Sequence, residues 1–212
     1  MGEETARERQ SRVARSGGDW EKYVYYYLTD KLKGTGIEVI LDKSPSGRKI
    51  KERSSLLWRM LSIPVKASTV KREVWGDIDL VAVKGDIPIA IISCKTSLHG
   101  RLTETLFYGL LFKAISRIKV VLATSDKGAG TKGKIRSEWG TPENPSKARL
   151  LAESYLDGVY VENVPEFCDL SEPTVLGGIV RPLSELPEDI KRWAEEAEKF
   201  TYIRKGGLKR FV

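Results

Sequence analysis

The sequence is poor in the residues that build disulfide frameworks and soft metal sites. Its 212 residues include a single histidine, His99, and two cysteines. Cys94 lies inside an apolar segment, Cys168 is far from it, and no Cys-x-x-Cys pair occurs, so neither a disulfide framework nor a zinc site is expected. No apolar run approaches the roughly 20 residues that cross a bilayer, and the N-terminus lacks the apolar segment of a signal peptide. We therefore expect a soluble, cytoplasmic protein with no membrane partner.

Amide side chains are also scarce. The chain has one glutamine and two asparagines, against 36 Lys+Arg and 29 Asp+Glu. This composition is typical of proteins from hot environments and predicts a thermophilic source. The formal net charge of +7 is compatible with a polyanionic partner but does not identify one.

The domain organisation follows from length and composition. With 41% hydrophobic and 31% charged residues and no Pro/Ser/Gly-rich tract, the chain is expected to form one globular domain over 1–212. Residues 1–18 are expected to form a basic N-terminal arm or helix, 19–163 the core of the domain, and 164–212 a C-terminal extension.

Residues 76–95 carry the most informative pattern. Two short apolar segments flank a Gly-containing break, which predicts an antiparallel hairpin. Since side chains alternate along a strand, Asp77 and Asp79 share one face of the first strand, and Ser93 and Lys95 share a face at the end of the second. Charges also solvate sheet edges, so the hairpin alone leaves a structural and a functional interpretation open.

Two acids fall on predicted apolar helix faces. A helix over 19–33, with Asp19 as its N-cap, places Glu21 among its apolar positions. A helix over 102–117 places Glu104 in the same way. Such an acid is either favoured by the helix dipole in the first turn or aimed at a buried partner or metal.

The remaining pattern alternates helices and strands. Strands are predicted at 37–41, 118–123 and 158–161, and helices at 54–63, 148–155 and 184–200. Residues 125–147 form a long polar segment that contains Lys132 and Lys134, interpreted either as a phosphate-contacting loop or as an irregular excursion. The order of elements predicts an α/β fold with a central mixed sheet flanked by helices.

Several of these residues match a known nuclease signature. Asp79 followed by Ser93-Cys94-Lys95 resembles the PD-(D/E)xK motif, and residues 19–22, Asp-Trp-Glu-Lys, resemble the acidic helical motif that precedes it. Glu104 and Tyr108 are similar to the Q-x-x-x-Y helix of the same superfamily. Within that superfamily the chain resembles type II restriction endonucleases of the BsaWI type, which implies a restriction-endonuclease-like core.

The resemblance implies a metal-dependent hydrolase with Mg²⁺ as its cofactor and no organic cofactor. Hard Mg²⁺ prefers carboxylate oxygens and activates a water for attack on phosphate. Asp79 is the first predicted ligand, with Asp77 as its neighbour, and Lys95 is predicted to orient the water and offset charge on the phosphate.

Ser93 departs from the motif because it occupies the position of the second acid and is a poor Mg²⁺ ligand. The missing carboxylate must come from elsewhere. Glu21 and Glu104 are the available replacements, and restriction enzymes with a Ser-x-Lys motif take their acid from the following helix. The sequence therefore predicts Asp79, Glu104 and Glu21 as the metal-binding set.

Double-stranded DNA is the implied partner. Related enzymes read their sites with an Arg-acid-Arg cluster shortly after the lysine, of which this chain keeps Arg101. The further predicted DNA contacts are His99, Ser97, Thr96, Lys132 and Lys134. A palindromic site favours a homodimer. Two alternatives stay open: another PD-(D/E)xK nuclease, such as a Holliday junction resolvase or repair nuclease, or a non-catalytic basic DNA-binding protein.

Overall fold

The computed structural model describes residues 6–44, 46–67, 70–76, 78–98, 102–126, 137–162 and 175–207. Within them the helices are α1 (Ala6–Lys31), α2 (Arg48–Arg53), α3 (Ser55–Leu61), α4 (Leu102–Ile115), α5 (Lys147–Tyr155) and α6 (Leu186–Gly207). The strands are β1 (Ile37–Leu41), β2 (Ser62–Ala67), β3 (Val70–Trp75), β4 (Leu80–Lys84), β5 (Ile87–Lys95), β6 (Lys119–Thr124), β7 (Gly158–Val161) and β8 (Val180–Pro182).

A six-stranded mixed sheet forms the centre of the molecule, in the order β1-β4-β5-β6-β7-β8. Strands β1, β4 and β5 are antiparallel neighbours, whereas β5 to β8 run parallel. The parallel part brings the carboxyl ends of β5 and β6 to one edge, with Lys95 paired to Thr124. The predicted hairpin is confirmed as β4 and β5.

The sheet is covered on both faces, as the alternating pattern predicted. One apolar cluster joins the sheet to α3, α4 and α5 through residues such as Leu57, Phe112 and Ala152. The other joins it to α1 and α6 through Leu28 and Ile190. The α/β fold with a mixed sheet flanked by helices is thus confirmed. In the described part of the chain, no helix is both long enough and apolar enough to cross a membrane.

Helix α1 differs from its prediction at the N-terminal end. It begins at Ala6 and continues through Gly17 and Gly18, so Asp19 lies inside the helix and is not its N-cap. Each helical glycine costs roughly 1 kcal/mol relative to alanine, which is too little to end a 26-residue helix. The predicted stop is close to the observed one, since α1 ends at Lys31 and Gly34 has a positive φ of 81°.

Four elements, α2, β2, β3 and β8, were not assigned as helices or strands from the sequence. Helix α2 lies within the predicted polar loop 42–52, and β8 was not assigned to any element. Strands β2 and β3, predicted only as an extended segment, pair with each other in a separate two-stranded sheet. The ring of Trp75 in β3 lies where a Cβ at Gly47 would be, so Gly47, with φ 62°, allows this close packing.

Candidate active site

Asp79, Ser93 and Lys95 meet at the end of the β4–β5 hairpin. Asp79 immediately precedes β4, and its Oδ2 accepts three hydrogen bonds: from Ser93 Oγ at 3.3 Å, from the Cys94 backbone N–H at 2.7 Å and from Lys95 Nζ at 3.0 Å. The Lys95 and Asp79 side chains are only 10% and 9% exposed. The strand alternation therefore brings the predicted acid and lysine into direct contact, as a largely buried ion pair.

The two carboxylate oxygens of Asp79 are used unequally. All three donors bind Oδ2, and no hydrogen bond from the described residues ends on Oδ1. A carboxylate oxygen with nearby hydroxyls is a donor set that suits a hard cation better than a soft one. Among the described residues no group of three or more His, Cys, Asp or Glu side chains is arranged to hold a metal. Asp79 can thus supply one carboxylate ligand, and further ligands have to come from side chains that move towards it or from residues outside the described ranges.

Ser93 connects this cluster to helix α4. Its Oγ lies 2.9 Å from Thr105 Oγ1, and Thr105 is almost completely buried in the first part of α4. The side chain in the position of the second acid thus contacts the following helix, in the turn that also carries Glu104. Sequence reasoning missed Thr105, because a threonine on a mostly apolar helix has no distinguishing pattern.

The predicted orientation of α4 is wrong. Glu104 is exposed, and the buried positions are Thr105, Gly109 and Phe112. Apolar residues occur on every side of this helix, so periodicity gives little directional information. The packing is decided by a small residue instead: a Cβ at Gly109 would lie 2.4 Å from the carbonyl oxygen of Tyr155, so only glycine allows α4 to approach the end of α5 this closely.

Glu21 approaches the site from the other face of the sheet. Its carboxylate forms a 2.6 Å ion pair with Lys43 Nζ and is 21% exposed. The adjacent Trp20 is buried and donates its indole N–H to the Ala123 carbonyl at 3.1 Å, which fixes α1 against β6. Glu21 is therefore half-buried, as its position on the apolar face predicted, and it has a lysine as its partner.

The buried thiol of Cys94 lies within the field of both acids. Burial raises its pKa well above the ordinary value, and the negative charges of Asp79 and Glu21 raise it further, while Lys95 and Lys43 act in the opposite direction. Cys94 alternates with Ser93 and Lys95 along β5, so its side chain points to the opposite face. Asp79 and Glu21 thus flank the same strand end.

Two acids that were not predicted organise the loops at this edge. Glu138 accepts hydrogen bonds from the Leu98 backbone N–H at 3.1 Å and from Ser97 Oγ at 3.3 Å. Asp126 is buried, has a positive φ of 41°, and accepts bonds from Ser137 Oγ at 2.5 Å and from the Glu138 N–H at 3.2 Å. The chain after β5 and the chain after β6 are therefore tied together. The position of Asp126 just after a buried strand was the only available signal.

The predicted DNA contacts fall into two groups. Thr96 is buried, and its backbone carbonyl accepts from Ser125 Oγ at 3.2 Å. The Ser97 hydroxyl donates to Glu138. Both residues are thus engaged within the protein directly after β5. The other predicted DNA contacts lie outside the described ranges: His99, Arg101, Lys132 and Lys134. The predicted catalytic acid Asp77 also lies outside them.

The chain has relatives among restriction enzymes. The family model described as BsaWI restriction endonuclease type 2 matches residues 48–175. The chain is 28% identical over 193 residues to the candidate type II restriction enzyme MjaVIP of Methanocaldococcus jannaschii, covering 84% of this chain and 81% of that protein. Its fold is similar to that of the restriction endonuclease AgeI, solved as a DNA complex, with a TM-score of 0.59 at 19% identity over 88% of this chain and 69% of AgeI. Because the family model matches more than half of the sequence, the chain belongs to the BsaWI family of type 2 restriction endonucleases, which are site-specific deoxyribonucleases.

Proposed function

We propose that this protein is a Mg²⁺-dependent type II restriction endonuclease that hydrolyses phosphodiester bonds of double-stranded DNA at a short specific site. The observation that carries the proposal is the buried Asp79–Lys95 pair, in which Lys95 Nζ binds Oδ2 while Oδ1 receives no hydrogen bond from the described residues. Restriction endonucleases generally use a divalent metal ion, and the solved AgeI structure is a DNA complex.

Asp79 and Lys95 have different roles in the proposed hydrolysis. When bound, the divalent ion polarises the phosphate and lowers the pKa of a water molecule. Oδ1 of Asp79 is the carboxylate oxygen that would bind that ion. Lys95 is held in place by Oδ2 and presents a fixed positive charge, which orients the attacking water and stabilises negative charge that develops on the phosphate. Because the pair is largely buried, this charge is weakly screened.

A second carboxylate is proposed to come from Glu104 or Glu21. Glu104 has the more direct connection, because it precedes Thr105, whose hydroxyl contacts Ser93. Glu21 lies against the same strand end, but its charge is already compensated by Lys43. We therefore place Glu104 first in the ligand set and assign Glu21 a supporting electrostatic role, with Asp77 as a neighbouring acid.

Recognition of DNA is proposed for the segments that follow β5 and β6 in the sequence. In the sequence, His99 and Arg101 directly follow Leu98, whose backbone N–H donates to Glu138. Lys132 and Lys134 lie in the sequence between Asp126 and Ser137, which are hydrogen-bonded to each other. An arginine can read guanine bidentately, and lysines contact phosphates. A short palindromic site would be bound by a homodimer with one active site per strand. Action in the cytoplasm and a thermophilic source stay predictions from composition.

Plasmid cleavage tests the proposal. The unaltered chain with Mg²⁺ should convert plasmid DNA to discrete fragments, whereas Lys95→Ala should abolish cleavage and keep DNA affinity, because the lysine acts on the reacting phosphate. Lys119→Ala is the matched control: Lys119 begins β6, at the other end of the sheet, and pairs with Asp157 at 3.7 Å. It should cleave normally. Full activity in Lys95→Ala would overturn the site assignment, and an unaltered chain that binds DNA without cutting it would overturn the proposed activity.

A further inference from the structure

The buried hydroxyls of Thr105 and Ser93 form a directed chain of hydrogen bonds. The two oxygens are 2.9 Å apart, and Ser93 Oγ donates to Asp79 Oδ2 at 3.3 Å. A hydroxyl has one proton to donate, and an ionised carboxylate can only accept. Ser93 therefore uses its proton on Asp79, and Thr105 has to be the donor to Ser93. The order Thr105 to Ser93 to Asp79 links helix α4 to the carboxylate of the candidate active site.

The same turn of α4 has further close contacts with the site. The ring of Tyr108 packs against Gly76, where a Cβ would lie 2.6 Å from a ring carbon, and Gly76 is three residues before Asp79. Gly109 fixes the opposite side of the helix against α5. The helix is thus held against two neighbours, and the hydroxyl of Thr105 makes a polar contact with the Ser-x-Lys strand.

The rotation of α4 decides where Glu104 lies. Consecutive Cα atoms are about 3.8 Å apart, so the backbone of Glu104 is fixed once Thr105 is held on Ser93. A carboxylate in the usual motif position would supply the ligand directly from β5. Here the serine in that position instead binds the helix whose first turn contains an acid.

We propose that Thr105 is a positioning residue: its hydroxyl, through Ser93, fixes the first turn of α4 so that Glu104 serves as the second carboxylate of the metal site. This inference rests on the proposed function. Thr105 itself contacts neither metal nor DNA, and its effect is exerted on the geometry of Glu104 and on the hydrogen bonding of Asp79.

A purely structural role for the same contact predicts a different result. A buried threonine hydroxyl that only satisfies a serine would contribute to stability, and its loss would lower the melting temperature without changing metal affinity. A positioning role predicts weaker metal binding, because groups that orient a metal ligand typically change metal affinity by about 10-fold to 100-fold when they are removed.

The experiment uses the full chain with three variants: Thr105→Val, which removes the hydroxyl at nearly constant shape, Thr105→Ser, which keeps it, and Ser93→Ala. Mg²⁺ binding is measured by calorimetry with Mg²⁺ alone, and the Mg²⁺ concentration for half-maximal plasmid cleavage is measured in parallel. Thr105→Val and Ser93→Ala should each weaken Mg²⁺ binding about 10-fold. Thr105→Ser, which keeps the hydroxyl, should bind Mg²⁺ as the unaltered chain does. The double variant should be no weaker than either single variant, because both remove the same link.

The outcomes separate this inference from the proposed function. If the unaltered chain binds Mg²⁺ and cleaves DNA while Thr105→Val binds Mg²⁺ equally well, the positioning role is overturned and the proposed function stands. Additive losses in the double variant would also overturn it. If the unaltered chain neither binds Mg²⁺ nor cleaves DNA, both proposals fail. Should Thr105→Val not fold, the Ser93→Ala and Thr105→Ser variants still decide the question.

Discussion

Two buried aspartates of this molecule, Asp79 and Asp189, have similar burial but different surroundings. Asp189 lies on α6, where its Oδ2 accepts from the Tyr160 hydroxyl and pairs with Arg181, and its Oδ1 pairs with Arg192 at 2.5 Å. Among the described residues, Asp79 has three donors, and all of them bind the same oxygen, Oδ2. Within this part of the chain, both oxygens of Asp189 therefore have partners, whereas only one oxygen of Asp79 does.

The charged partners of the two aspartates differ in the same way as their hydrogen bonds do. Asp189 faces two guanidinium groups, which leave an excess of positive charge around it and oppose the approach of a cation. Among the ion pairs of the described residues, Asp79 has Lys95 as its partner, so one positive charge balances its negative charge. Burial raises the pKa of Tyr160, and its hydrogen bond to Asp189 raises it further, so the phenol stays protonated and keeps donating. The contacts of Asp189 therefore stabilise the fold, whereas Oδ1 of Asp79 can still accept a ligand.

The largest expected effect is on catalysis. Asp79→Asn should reduce cleavage by about a thousandfold, because the proposed metal site would lose one of its carboxylate ligands, while DNA binding without metal stays close to that of the unaltered chain. Asp86→Asn, at the turn of the same hairpin, is the control and should cleave normally. Single-turnover plasmid cleavage measures both. Retention of full activity in Asp79→Asn would remove the distinction between the two aspartates.

The complementary change affects stability. Asp189→Asn should lower the free energy of unfolding by about 3 kcal/mol, since it leaves two guanidinium groups without their carboxylate. Below the melting temperature its cleavage rate should equal that of the unaltered chain. Urea denaturation and plasmid cleavage measure the two quantities. A variant that is stable but inactive would show that the Asp189 cluster contributes to the reaction.

The replacement acids should have intermediate effects. Glu104→Ala is expected to raise the Mg²⁺ concentration for half-maximal cleavage by about 10-fold or more, and Glu21→Ala by less, because Lys43 already neutralises Glu21. Glu196→Ala, an exposed position on α6, is the control. If both acids can be removed with no change in metal dependence, the second carboxylate comes from another residue.

The smallest effect is expected at Asp42, another carboxylate with both oxygens in use. Its Oδ1 accepts from the Ser44 hydroxyl and N–H, and its Oδ2 from the Ile50 N–H. Burial by itself would raise the pKa of Asp42, but these bonds lower it overall. Asp42→Asn should cost about 1 kcal/mol at pH 7 and leave cleavage unchanged.

The pH dependence of stability tests the same residue. Because the folded pKa of Asp42 is below the ordinary value near 3.9, the unfolded chain binds more protons in this range. The stabilisation by Asp42 is present above pH 3.9 and is lost as the pH falls through the lowered pKa. Denaturation between pH 5 and pH 2 should therefore give a shallower loss of stability in Asp42→Asn. An identical pH dependence in both proteins would contradict this assignment.

The sequence predicted the parts of the fold that depend on short-range patterns. The strands at 37–41 and 158–161 agree with β1 and β7 at both ends, because apolar β-branched residues and flanking glycines act locally. The contact between Asp79 and Lys95 was likewise predictable, since strand alternation and a short turn define it. Helix α2 was missed because its short polar sequence is helical only when Asp42 and Ile50 hold it against the core.

Other features of the site depend on tertiary packing. The buried face of α4 is selected by the absence of a side chain at Gly109, which no hydrophobic pattern reveals. Glu138 and Asp126 become important only because parallel β5 and β6 bring distant segments to one edge. Arg149 is similar: it is buried and donates to the carbonyls of Trp139, Gly177 and Val175, which lie in distant segments that only the tertiary fold brings together.

The thiol of Cys94 can report local opening of strand β5. The thiol sits between Ser93 and Lys95, is 3% exposed, and has a raised pKa, so the reactive thiolate scarcely forms while β5 is in the sheet. Alkylation of this thiol requires local opening of β5, and its rate measures how often the strand bearing the lysine separates from its neighbours. Binding of metal or DNA at the site would slow that opening, so the alkylation rate of Cys94 would fall when a ligand binds.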